Sequence, residues 1–397
     1  MPGPGAFCMG EEEIAEVMDV MSGGHLSRYG DLSDPNFKRK VMTFEEDFAR
    51  YIGVKHCQTT SSGTSALLIS MKSVGVGPGD EVIIPTFGFV ASYGATIFIG
   101  AIPVLAEIDN SFTIDVRDLE QRITPRTKAI MPIHMLGNPC RMDQITALAE
   151  KHDLKLIEDC CQACGASFRG RKVGSFGQIG AFSLNVFKTI TTGDGGMLVT
   201  DSSDLYQSAF AMQDQGYRRK EGKLEIVEPS ILGLNFRVNE LTGAVALAQL
   251  GKLDWIVTTL RSKKRKLKAR IAEADGIDFR QINDPDGECA TLLTVIFENA
   301  ARAARIAESL GTVTLERSGW HVYSNMDHVN RHLEELGRPN GLGAYPKTDD
   351  LLLRSINLSI GVVDAGLGSA FGINIHSTEE EIERVADRFL EACRRFD

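Results

Sequence analysis

Between Phe44 and Thr200 the chain alternates short apolar runs with amphipathic stretches, and this alternation constrains the fold more than any other feature. The apolar runs at Glu81–Pro85, 102–108, 129–133, 154–158, 181–184 and 197–200 read as strands. The stretches at 90–99 and 142–152 read as helices. Strands that alternate with helices build βαβ units, so the expected fold class is α/β, with a mostly parallel sheet covered on both faces. Crossovers are right-handed by default, and ligands of such sheets sit beyond the carboxyl ends of the strands. Those strand ends are where chemistry is expected.

A helix is expected at 11–21, where Ile14, Val17, Met18 and Met21 form an apolar stripe, followed by a surface loop over 22–42. A longer helical segment spans 239–274 and ends in a dense run of lysines and arginines. Its basic end is expected to be solvated, with cations near the negative helix C-terminus. Beyond it, strands at Leu292–Phe297 and 356–359 mix with helices at Ala300–Leu310 and 379–393. A chain of 397 residues exceeds what one core usually organises, so a large domain over 1–260 and a smaller α+β domain over 261–397 are expected.

The formal net charge of −10 argues against nucleic acid or an anionic membrane as partner. No run of 18 apolar residues is present, and the Met1-Pro2-Gly3-Pro4-Gly5 opening lacks the pattern of a signal peptide. The eight cysteines have no regular spacing; Cys160, Cys161 and Cys164 cluster without a second pair at zinc spacing. A cytoplasmic protein without a metal is expected.

Gly75-Val76-Gly77-Pro78-Gly79 mimics a dinucleotide fingerprint, but a helix precedes it and a strand follows, so it reads as a turn. Three other segments carry chemistry. Thr59 through Ser65 places small hydroxyl residues and Gly63 at the start of a helix, which suits a phosphate or a plain N-cap. Glu158 and Asp159 end an apolar strand; one of them is expected to face the site, or else to cap the next helix. Lys188 follows a strand and precedes a turn in which Gly193, Gly195 and Gly196 cluster. A lone loop lysine is ordinarily solvated, whereas in a dry pocket its pKa falls and the amine can form a Schiff base. Together, an anion cradle, a buried carboxylate, a lysine and a glycine-rich turn are the parts of a pyridoxal 5′-phosphate (PLP) site.

With these residues the chain resembles the DegT/DnrJ/EryC1/StrS family of sugar aminotransferases, on the aspartate-aminotransferase-like fold (fold type I of PLP enzymes). The resemblance covers nearly all of residues 10–260 and more weakly the rest. It is carried by Ser61 through Leu67, Pro78 through Ala91, Glu158 through Ala163, Lys188 through Gly196 and Gly233 through Leu241. It implies that Lys188 carries the cofactor as a Schiff base and shuttles the substrate proton, while Asp159 keeps the pyridine nitrogen protonated. Phe89 would stack on the ring, Gln162 would lie near its phenolic oxygen, and Gly63, Thr64 and Ser183 would bind the phosphate. Asn235 would reach that phosphate from a second subunit, which implies a homodimer with shared active sites.

The implied reaction moves an amino group from L-glutamate or L-glutamine to a keto or aldehyde sugar, with pyridoxamine phosphate as the intermediate cofactor form. Relatives that dehydrate carry histidine in place of the lysine, so Lys188 favours transamination over elimination and over a non-catalytic, regulatory role. Cys164, Asp194 and Gly88 depart from the common family pattern without removing a required part. The 22–42 loop and Gly319 through Asn325 look like the branch that makes 8-amino-3,8-dideoxy-octulosonate. Arg28, Tyr29, Arg39, Trp320, His321 and Tyr323 are the candidate substrate contacts, each with an ordinary surface or core alternative. His134 matches a family histidine and is expected to be structural.

Overall fold

In the computed structural model, residues 2–220, 223–225 and 231–396 are described. Strands β1 (His56–Thr60), β2 (Glu81–Pro85), β3 (Ile102–Ala106), β4 (Thr127–Ile130), β5 (Lys155–Asp159), β6 (Ile179–Ser183) and β7 (Gly196–Thr200) form one sheet. Its spatial order is β1-β7-β6-β5-β4-β2-β3. β2 pairs in parallel with β3 and β4, and β4–β5 and β5–β6 are parallel too. β7 runs antiparallel to both β6 and β1. Every residue of β2, β6 and β7 is buried, as expected of strands covered on both faces.

β1 lies outside the expected strands because His56-Cys57-Gln58-Thr59-Thr60 lacks an apolar pattern. Gln58, Thr59 and Thr60 are nonetheless buried. Glu45 is the partner of Gln58 and Thr59: its carboxylate accepts from the Gln58 amide (3.4 Å), the Thr59 N–H (2.8 Å), the Thr59 hydroxyl (2.7 Å) and Arg28, while the Thr60 hydroxyl donates to the Ser62 carbonyl (2.9 Å). Buried polar groups persist where such bonds satisfy them.

The helices that bear on the site are α1 (Pro4–Phe7), α2 (Glu11–Gly23), α3 (Lys40–Ile52), α4 (Gly63–Ser73), α5 (Val90–Phe98), α6 (Met142–Lys151), α7 (Glu240–Ile271), α8 (Ala300–Leu310) and α9 (Glu379–Arg395). α2 and α3 bound the 22–42 segment more tightly than expected: Gly24 caps α2 at φ 69°, and α3 begins at Lys40. A three-stranded antiparallel sheet of β8 (Ile277–Phe279), β9 (Leu292–Phe297) and β10 (Ser355–Ser359) forms the C-terminal framework.

Position 260 falls inside α7, a continuous helix of 32 residues. Its apolar face joins both regions, since one hydrophobic cluster runs from Phe48 and Phe182 through Leu253 and Leu260 to Val295 and Phe389. The basic end of α7 is spent on neighbours rather than left to solvent alone. Lys264 pairs with Glu288, Lys266 with Glu379, and Arg270 with both Glu383 (2.7 Å) and Asp387 (3.1 Å). Among the described residues no helix is long and apolar enough to cross a membrane.

Candidate active site

A cavity of about 300 Å³ opens beyond the carboxyl ends of β5 and β6, and Gly63, Thr64, Phe89, Asp159, Gln162, Ser183, Lys188 and His321 line it. Seven of these eight are the residues expected to hold a cofactor. The sequence separates them by up to 125 positions between Gly63 and Lys188 (188 − 63), and the parallel sheet brings their strand and helix ends to one edge.

The anion cradle starts at Ser62, which N-caps α4 in extended backbone and exchanges reciprocal hydrogen bonds with Ser65. Capping fixes the first turn of α4, with the positive end of the helix dipole behind Gly63 and Thr64. Gly63 is required here by close approach. A Cβ on it would lie 2.7 Å from Ser183 Cβ and 3.0 Å from Cys161 Sγ. This close packing puts the first turn of α4 and Ser183 side by side on the cavity wall, where backbone N–H groups at a helix start suit an anion.

At the end of β5 the two carboxylates separate. Glu158 is fully buried and accepts from the N–H groups of Gly174 (2.8 Å), Phe176 (2.7 Å) and Gly177 (2.8 Å). His134 faces it at 3.2 Å through Nε2, and the His134 Nδ1 accepts from the Cys140 N–H. His134, Glu158 and Cys160 could reach a common ion, but these bonds already occupy the imidazole and the carboxylate. The trio is a structural knot, as expected for His134. Asp159 instead lines the cavity, where it accepts from the Ser92 hydroxyl (2.7 Å) and the Cys161 N–H (3.0 Å).

Lys188 sits on the turn after β6, its N–H donating to the Asn185 carbonyl at 2.9 Å. Burial lowers the pKa of its amine; nearby Cys161, Asp159 and Asp364 oppose that shift. The result is a more nucleophilic lysine beside a carboxylate, the pairing that Schiff-base chemistry uses. Phe89, at the N-cap of α5, is 41% exposed, and its ring lies 5.1 Å from that of His321. Gln162 accepts from the Leu136 N–H at 3.0 Å, and Leu136, at φ 55°, also lines the cavity.

Of the six candidate substrate residues only His321 lines this cavity. Burial and the nearby Lys188 hold its imidazole down at about 4. Its Nδ1 lies 3.2 Å from the Ser318 carbonyl and 3.1 Å from that of Gly366, so Nδ1 carries the proton. The other five lie outside this cavity. Arg28 is buried in a bidentate pair with Glu45 (2.9 and 3.0 Å). The Tyr29 hydroxyl donates to Asp214, and Arg39 starts α3 near Glu46. Trp320 is exposed beside His328, and the buried Tyr323 hydroxyl donates to Asp349. Asn235 is also outside the cavity, in a neighbouring groove with Arg28 and Ser61, and Asp194 lines both.

Sequence reasoning missed Ser92, Leu136 and Asp364, all of which line the cavity. Ser92 had a readable signal: it follows Phe89 by three positions, one helical turn, at the start of α5. Leu136 and Asp364 lie in irregular segments where periodicity carries no information.

A GDP-perosamine synthase of Caulobacter vibrioides is 41% identical over 54% of this chain and 57% of its own length, so the match spans little more than half of that protein. The spore coat polysaccharide biosynthesis protein SpsC of Bacillus subtilis is 31% identical over 87% of this chain and 90% of its own. The S. venezuelae DesV structure, in complex with a ketimine intermediate, superposes with a TM-score of 0.80 at 29% identity, covering 97% of this chain and 95% of that one. An E. coli GDP-4-keto-6-deoxy-D-mannose-3-dehydratase with bound hydrated PLP shares the fold at 21% identity and a TM-score of 0.78, covering 96% and 97%. The model of the DegT/DnrJ/EryC1/StrS aminotransferase family matches residues 7–361, and the chain belongs to that family.

Proposed function

We propose that this chain is a PLP-dependent aminotransferase that moves an amino group from L-glutamate or L-glutamine to a keto or aldehyde sugar. The observation that carries the reading is that Lys188, Asp159 and the Gly63–Ser183 cradle line one cavity. The helix start at Gly63 and Thr64 beside Ser183, the carboxylate directed into the cavity and the amine of lowered pKa all fit PLP. When bound, PLP supplies an electron sink for the carbon that loses its proton.

The chain's own residues do the rest. Gly63, Thr64 and Ser183 would bind the phosphate, and Phe89 would cover the ring. Asp159, oriented by Ser92 and the Cys161 N–H, keeps a protonated ring nitrogen in place. Gln162 would sit near the phenolic oxygen, and it braces the Leu136 turn. Lys188 would take a proton from one carbon and return it to another, and burial, which lowers the pKa of its amine, favours the neutral form that accepts the proton.

Asn235 is exposed and does not line the cavity, and this supports a homodimer in which it serves the phosphate site of a second copy. The names of the relatives favour a sugar acceptor, of the GDP-linked or polysaccharide-precursor kind. The resemblance of the 22–42 and 319–325 segments adds the eight-carbon keto-sugar acid to the acceptors worth testing.

The test is the visible absorption of the protein with PLP, before and after L-glutamate or L-glutamine. Bleaching with release of the matching oxo acid supports the reading, and Lys188→Ala should abolish it while PLP stays bound. Turnover retained by Lys188→Ala would sink the assignment. A yellow wild type that neither donor bleaches would shift the weight to elimination chemistry or a regulatory role.

A further inference from the structure

The N-terminal segment, which no part of the proposed function uses, is bound to the turn that carries Lys188. The Gly3 N–H donates to the Val186 carbonyl at 2.9 Å, and the Gly5 N–H to the Lys188 carbonyl at 3.3 Å. With the Lys188 N–H already bonded to the Asn185 carbonyl, both backbone groups of Lys188 are held. The approach is so close that side chains are excluded. A Cβ on Gly3 would lie 2.2 Å from the Phe187 carbonyl oxygen, and one on Gly5 would lie 2.7 Å from Ile190 Cα and 2.8 Å from the Thr191 nitrogen. Pro4 and Gly5 are buried between these contacts.

A second set of bonds holds the segment down. Gln249 on α7 accepts from the Thr191 N–H at 3.1 Å and donates to Glu13 at 2.8 Å. Lys252, one turn further along α7, donates to the other Glu13 oxygen (2.7 Å) and to the Cys8 carbonyl (2.8 Å). Glu13 also accepts from the Gly10 N–H at 2.8 Å, which ties the start of α2 to the same point. Glu13 is buried, and these hydrogen bonds, led by the one from Lys252, hold its carboxyl below the usual range despite burial. The charged knot therefore stays ionised near neutral pH, and charge-assisted bonds of this kind are the stronger ones.

We propose that residues 3–8 form a strap that positions Lys188 for catalysis, with the Glu13–Gln249–Lys252 cluster as its latch. The inference rests on the reading of Lys188 as the cofactor lysine. Its physical basis is that the lysine side chain swings from a backbone fixed at three carbonyls: Asn185 before the turn, Val186 at Gly3, and Lys188 itself at Gly5. Chemistry that moves one proton between two carbons is sensitive to misplacement of the base by a fraction of the contact distance. Neither Gly3 nor Glu13 lines the cavity, so both are positioning residues.

The test uses the full chain loaded with PLP. Gly3→Ala should lower kcat for the donor half-reaction about tenfold with the donor KM unchanged. The pH midpoint of the visible band of lysine-bound PLP should move, while PLP content stays at the wild-type level. Glu13→Gln leaves both glycine contacts in place and weakens the latch, so it should shift the same midpoint in the same direction by less. A purely structural segment would lower the melting temperature in both variants and leave midpoint and kcat alone, and that result would overturn the strap. Should Gly3→Ala fail to fold, Glu13→Gln decides by the same two readouts. A wild-type protein with no lysine-linked band overturns the reading of Lys188 and the strap with it, whereas a normal wild-type band with unmoved variants overturns the strap alone.

Discussion

Glu158 and Asp159 are neighbours at the end of β5, yet their carboxylates serve opposite sides of the sheet. Glu158 gathers three backbone N–H groups and His134 in the interior, and Asp159 looks into the cavity with Ser92 and Cys161 beside it. Side chains alternate along a strand, so two adjacent acids cannot share one face. Their substitutions should therefore fail in different ways. Glu158→Ala leaves three buried N–H groups unpaired and should cost about 3 kcal/mol or more in urea unfolding. Asp159→Asn should leave the unfolding midpoint near wild type and cut turnover about a hundredfold or more.

Gly63 tests the cradle. Gly63→Ala puts a methyl group 2.7 Å from Ser183 Cβ and 3.0 Å from Cys161 Sγ, so Ser183, one of the proposed phosphate ligands, must shift. Titration with PLP, followed by absorbance, should show affinity reduced by about tenfold or more. Unchanged affinity would mean that the phosphate lies elsewhere.

Arg28 is buried against Glu45 and Thr59 and does not line the cavity. Removing one partner of a buried ion pair leaves an uncompensated charge, so Arg28→Met should cost about 3–5 kcal/mol of stability. In whatever fraction remains folded, KM for both substrates should stay at the wild-type value. A large rise in acceptor KM with intact stability would return Arg28 to the substrate site.

His321 predicts a pH dependence. Burial and the charge of Lys188 depress its pKa from 6.5 to about 4. Between those values the unfolded chain binds the proton that the folded protein refuses, so this contribution to stability is present above pH 6.5 and lost as pH falls toward 4. The full loss is about 3 kcal/mol. His321→Gln should remove it, which urea unfolding of both proteins at neutral and mildly acidic pH would show. An equal acid-side loss in the variant would exclude His321 as its source.

Much of the fold was legible because most of its strands carry a strong signal. β2 and β9 have the bounds that their apolar runs imply, and β4 through β7 differ by a few residues at their ends. β1 was not legible, since its stability comes from Glu45 and Arg28, brought in from other parts of the chain, and not from apolar side chains. The candidate site divides in the same way. Gly63, Asp159 and Lys188 stand next to elements whose ends periodicity marks. Leu136 and Asp364 lie in irregular backbone.

The sequence by itself determined the α/β alternation, the local chemistry of each motif and the family to which the motifs belong. Those depend on neighbours within a few positions, where backbone geometry links residue type to structure. Tertiary structure alone decided which of two adjacent carboxylates faces the cavity and that His321 reaches it while Tyr323, two residues on, does not. It also decided that Gly3 and Gly5 close over the turn of a lysine more than 180 positions away (188 − 5 = 183). Such contacts arise only when distant segments pack, and a pattern read along the chain does not record which segments will meet.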